Sequence, residues 1–188
     1  MKKNLTLLIL ISSLCSYAQT PCPPEGTAKL YKDQVANQYK NRDIVVSQID
    51  STITLEKMLA DGPDYTRFNP QAYVEITGYL VLTRLGGKES CNCGANIDSL
   101  RDNHIYIGLT PHSLEKECVI VEITPKFKKK HPHFDLKSMV GKKVRVRGYL
   151  FCDMEHKANA VNTCTSCGSP WRKTIWEVHP VVLIEVVE

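Results

Sequence analysis

From Ala72 onward, apolar side chains recur at every second position in separate runs, the period of strands that press one face on a core. Val74, Ile76, Leu80 and Leu82 alternate with Tyr73, Glu75, Thr77 and Tyr79, and Gly78 sits mid-run where a coiled strand bends. His104 to Thr110 places Ile105, Ile107 and Leu109 inward. Cys118 to Thr124 does the same with Val119, Val121 and Ile123. Each of these two runs is followed by a proline, which withholds a backbone donor and ends a strand. Phe134, Leu136, Met139 and Val140 before Gly141 predict one short helix, and Lys143–Cys152 and Thr174–Val187 supply strands four and five. The basic run Lys126 to His131 reads as a solvated turn.

Upstream of Ala72 the pattern is weaker. Lys2 and Lys3 precede an apolar run from Leu5 to Leu14, and Ser16 and Ala18 put small residues where a signal peptidase reads, so residues 1–18 are expected to be a signal peptide cleaved before Gln19. Neither Cys15 after Leu14 nor Cys22 after Pro21 has the small preceding residue of a lipid-anchored cysteine. No further segment approaches the roughly 20 apolar residues of a membrane span, which predicts a periplasmic or secreted product. Residues 19–71 read as an extension: Pro21, Pro23, Pro24 and Gly26 stiffen its start, and Tyr31 to Asn41 is polar with little apolar periodicity, as on a surface. Asp50-Ser51-Thr52 is a capping sequence for a short helix through Leu55, Met58 and Leu59, stopped by Gly62-Pro63.

Three strands, a short helix and two more strands is the order of a five-stranded OB-type barrel, so residues 72–188 are expected to form a mostly β domain of that kind. The loops at 85–103 and 153–173 are the longest, and in this architecture they flank the ligand face. The segments GKESCNCG, HIYIGL, CVIVEITP, HPHF, VRVRGYLFCDMEH and WRKTIWEVHPVV resemble a group of exported, uncharacterised bacterial proteins with an OB-like barrel. The resemblance implies fold and export, and it brings no established activity with it. Cys164-Thr165-Ser166-Cys167 lies outside its pattern.

The formal charge of +4 loses two lysines with the leader, leaving about +2, too little to argue for nucleic acid. Without Cys15, seven cysteines remain, an odd number in a compartment that favours disulfides. Cys91 and Cys93 lie in one long loop and Cys164 and Cys167 in the other. A barrel brings both loops to one end, which predicts a link between the pairs, by disulfide or through a zinc ion held by four thiolates.

Two kinds of site follow. The outward positions Tyr79, Tyr106, Arg145, Arg147 and Tyr149, with Trp171 beside the last loop, put aromatic and cationic groups on the barrel surface. Such groups suit an anionic glycan or oligonucleotide, or a protein partner, unless the extension covers them. His104, Asp153, His156 and His179 are the residue types of a metal site or an acid–base pair, with Glu177 sharing the face of His179. The alternative is that Glu177 and His179 simply bond neighbouring strands. No G-x-S-x-G or H-E-x-x-H motif is present. The sequence therefore favours an exported, non-catalytic binding module, with a metal-dependent hydrolase as the alternative.

Overall fold

The computed structural model describes residues 22–164 and 166–187, so the expected signal peptide lies outside the described residues. Five strands close a barrel: β1 (Tyr73–Leu85), β2 (Asn103–Gly108), β3 (Val119–Ile123), β4 (Lys143–Cys152) and β5 (Trp176–Val186), in the spatial order β1-β2-β3-β5-β4. All neighbours are antiparallel except β3 and β5, which pair in parallel through Ile120–Glu177 and Val121–Val178. With a helix between β3 and β4, this is an OB-type barrel. Among the described residues, no helix is long and apolar enough to cross a membrane.

The period-two positions fill the interior: Val74, Ile76, Leu80, Ile105, Ile107, Val119, Val121, Val144, Val146, Leu150, Val178 and Val181 are buried in one cluster. Two expected core positions leave it. The β1–β2 register shifts between Leu80 and Leu82, and the resulting bulge turns Leu82 to a satellite cluster with Tyr106, Cys118 and Ile120. Leu109 is exposed because β2 ends one residue earlier. At Gly78 a Cβ would lie 2.4 Å from Leu55 Cδ2 and 2.7 Å from Ile107 Cγ2, so the bare backbone is what lets the extension seat on the barrel.

The helices differ more from expectation. The basic run is itself the helix between β3 and β4, α3 (Pro125–Lys130). Thr124 caps it by accepting from Phe127 N, Pro125 occupies the first turn, and three lysines meet the negative end of the helix dipole. Residues 137–139 make only a single 3-10 turn. In the extension, α2 (Leu55–Leu59) buries the expected Leu55, Met58 and Leu59, but its cap is Thr54, while Asp50 accepts from Thr52 instead. Tyr31–Lys40, expected only as a polar surface segment, is a helix, α1. Its buried residues are Asn37 and Lys40, so apolar periodicity could not reveal it. Asp64, fully buried, ties the extension to β5 by accepting from Ile175 N and, at its carbonyl, from Trp176 Nε1.

Candidate metal centre

The outward positions of β2, β3 and β5 carry charge where a covered strand would ordinarily carry hydrocarbon. His104 on β2 is the cross-strand partner of Glu122 on β3. The parallel pairing of β3 and β5 sets Glu177 beside Ile120, and the same alternation brings His179 level with Glu122. α1 and the β1–β2 loop lie over these residues: α1 contributes Lys40, and the loop contributes Glu89, Cys91, Asn92 and Asp102. Asp153, just after β4, and Arg172, just before β5, complete the group. Asp102, Glu122, Asp153, Arg172, Glu177, His179 and Lys40 are all buried. This is the face on which OB barrels take ligands.

The contacts form two halves. In one, Arg172 donates to Asp153 Oδ2 at 2.8 Å, to Glu177 Oε2 at 2.9 Å and to the Thr174 carbonyl at 2.8 Å, and Asp153 Oδ2 also meets His156 Nδ1 at 2.5 Å. In the other, Glu122 lies between two imidazoles, its Oε1 3.2 Å from His104 Nε2 and its Oε2 3.1 Å from His179 Nδ1. His179 Nδ1 is hydrogen-bonded to Glu177 Oε1 instead, at 3.2 Å. Glu122 Oε2, His104 Nε2 and Asp102 Oδ1 are buried and take no hydrogen bond. Unpaired buried polar atoms of this kind are costly, and three at one place need a reason.

Charge supplies it. Five carboxylates, of Glu89, Asp102, Glu122, Asp153 and Glu177, face two permanent cations, Lys40 and Arg172. Burial pushes the Glu122 carboxyl well above its ordinary range, helped by Glu177 and Glu89, and burial likewise raises Asp102. Burial works against the Lys40 ammonium, but Glu122 and Glu89 outweigh it and hold the charge on. Asp153 is held low, against burial, by His156 and Arg172. Among the described residues, Asp153 and Glu177 have Arg172 in direct contact, whereas no lysine or arginine lies within ion-pair distance of Asp102 or Glu122. One donor atom each from Asp102, Glu122 and His179 lies within 4.8 Å of the others there, a spacing a single cation can bridge.

Of the four residues expected to form a metal site, His104 and His179 flank Glu122, whereas Asp153 and His156 belong to the Arg172 half. They share one network but not one point. Glu89, Asp102, Glu122, Lys40 and Arg172 were not among the residues expected in the site. The signal available was Glu122 breaking the apolar run Val119–Ile123 directly opposite His104.

The surface groups are dispersed. Arg147 Nε donates to Glu75 at 2.6 Å and Arg145 to Glu185 at 2.9 Å. Tyr149 stacks edge-on against Tyr73, lies beneath Arg42 and donates to the Val45 carbonyl, so the extension does cover part of this face. Tyr106 is buried beside Trp171, which also meets His156 at 5.1 Å. Tyr79 is half-buried on β1.

The expected link between the two long loops is not formed. Cys93 pairs with Cys22 and Cys164 with Cys167, leaving Cys91 a buried free thiol. Asn41 Nδ2 donates to the carbonyls of Pro24 and Cys91, holding the start of the extension against the β1–β2 loop, and the 5.8 Å Cα separation of Cys22 and Cys93 suits a disulfide. Adjacent Cys164 and Cys167 close on each other. Three of the four sulfurs are thus taken up in disulfides, and Cys91 alone of the four is a thiol. Neither family models, curated proteins nor solved structures give a match to this chain.

Proposed function

We propose that the protein is an exported binding module whose ligand is a divalent metal ion, held on the outward face of β2, β3 and β5 by Asp102, Glu122 and His179, with His104 beside them. The observation that carries this reading is the pair of buried carboxylate oxygens that take no hydrogen bond, Asp102 Oδ1 and Glu122 Oε2, the latter 3.1 Å from the buried His179 imidazole. Oxygen and imidazole donors suit zinc or manganese. Two disulfides fit export. The aromatic and cationic face is the weaker candidate, because Arg145 and Arg147 already have carboxylate partners.

Titration of the chelator-treated protein with Zn(II) and Mn(II), read calorimetrically and by metal analysis, tests the proposal. Binding should be saturable, and Glu122→Gln or His179→Ala should weaken it by more than about 100-fold, since even outer-shell changes at metal sites cost about 10–100-fold. Unchanged affinity in both variants would overturn it.

A second reading, metal-assisted hydrolysis, draws on His156. Its Nδ1 is fixed by Asp153 while its ring is half-exposed, and Asp153, Met154 and Glu155 line a cavity of about 380 Å³ with Lys40. An imidazole oriented by a carboxylate next to residues that line a cavity is a candidate for proton transfer. A screen of phosphodiesters and esters with the metal-loaded protein and His156→Ala separates the two readings. Turnover lost in the variant supports hydrolysis, and its absence leaves the binding module.

A further inference from the structure

Next to the proposed ion lies a second set of donors. Cys91 Sγ sits 3.5 Å from Glu89 Oε2 and 3.8 Å from Asp102 Oδ2, and donor atoms of all three residues fall within 4.8 Å of one another. Asp102 is common to this set and to the set of Glu122 and His179. It uses one oxygen, Oδ2, toward Asn92 Nδ2 at 2.7 Å and Cys91, while Oδ1 is buried without a partner. A carboxylate shared by two donor sets, with one oxygen still unpartnered, can act as a bridge.

Resting on the reading of Asp102, Glu122 and His179 as a metal site, we propose that Glu89, Cys91 and Asp102 bind a second divalent ion, so that the centre is binuclear with Asp102 bridging. Sulfur sets this position apart. A thiolate selects zinc or another borderline ion, whereas the first position offers only oxygen and nitrogen. Binding here takes the proton from the Cys91 thiol, which leaves to solvent as the Cys91 sulfur–metal bond forms, with no change of oxidation state.

Access agrees with a second ion at this position. Cys91 and Lys40 line a cavity of about 720 Å³ between α1, the β1–β2 loop and α3, whose lining includes neither Glu122 nor His179. Lys40 Nζ, 3.1 Å from Glu89 Oε2, stands against one of the three donors and competes with the ion. The disulfide of Cys93 with Cys22 keeps those two sulfurs from serving as ligands, so Cys91 is the one thiol of the loop free to bind.

The full chain with its disulfides intact, treated with chelator and then titrated with Co(II) without reductant, tests the proposal. Wild type should take up about two equivalents and develop a near-ultraviolet sulfur-to-cobalt charge-transfer band, since the donor set includes a thiolate. Cys91→Ser should lose that band and retain about one equivalent, Cys152→Ser should keep both, and Lys40→Met should bind the thiolate-bound ion more tightly. About one equivalent without a sulfur band in wild type overturns the second position and leaves the first standing. No uptake at all overturns both. The wild-type spectrum and stoichiometry decide the matter even if a variant folds poorly.

Discussion

Replacing Arg172 by Met should be the most destabilising single change in the polar enclosure. Arg172 is 1 % exposed and donates three hydrogen bonds, two of them to the buried carboxylates of Asp153 and Glu177. Met fills much of the same volume, so the loss is chiefly electrostatic. A hydrogen bond to a charged partner is worth about 1.5–3 kcal/mol, and two of them give about 3–6 kcal/mol. Removing one partner of a buried pair costs about 3–5 kcal/mol on other grounds, because the survivor stays charged and desolvated. With no solvent at the site, no discount for screening applies. At a urea dependence of about 2 kcal/mol per molar, the unfolding midpoint should fall by about 2 M with an unchanged slope. The deficit should also depend on pH. Asp153 is depressed in the folded chain, so its contribution is present above the usual aspartate value near 4 and is lost as pH falls through its lower folded value. The gap between wild type and variant should therefore narrow below about pH 4. A loss under about 1 kcal/mol at neutral pH, the size expected of a surface pair, would refute the reasoning.

Three further outcomes follow from the same contacts. The Asp153 hydrogen bond raises the His156 pKa, so its contribution to stability is full below about pH 6.5 and lost as pH rises through the higher folded value; melting temperatures from pH 5 to 9 should fall in wild type and flatten in His156→Gln, and parallel curves would contradict this. Cys93→Ser opens a link spanning 71 residues and should cost about 2–4 kcal/mol in chemical denaturation, whereas Cys164→Ser, spanning 3, should cost far less. Gly78→Ala drives a methyl into Leu55 and Ile107 and should cost about 1–3 kcal/mol, while Arg147→Ala, whose pair with Glu75 is partly exposed, should change stability by less than about 1 kcal/mol.

The barrel was legible because its strands obey one rule, apolar in and polar out, and the interior residues from Val74 to Val181 follow it. Leu82 departs because a bulge is a local change of register that alternation does not encode. α1 was illegible for a different reason: it docks on charge, burying Asn37 and Lys40, and a polar docking face looks like a solvated one in sequence. The site suffered from the same ambiguity. His104, Asp153, His156 and His179 stood out as residue types, but which acids join them depends on register and on where the β1–β2 loop returns. Those features bring Glu122 opposite His104 and Asp102 beside Glu122. The cysteines illustrate it again, since proximity of two loops does not fix pairing once Cys22 arrives with the extension.

The most direct measurement is anomalous diffraction from crystals of the full chain grown with Zn(II) or Mn(II). The account predicts a peak bounded by Asp102 Oδ1, Glu122 Oε2 and His179, at bond lengths of about 2.0–2.2 Å for zinc. Metal-replete crystals with peaks only at exposed groups such as His112 or His133, and none between Asp102, Glu122 and His179, would contradict it.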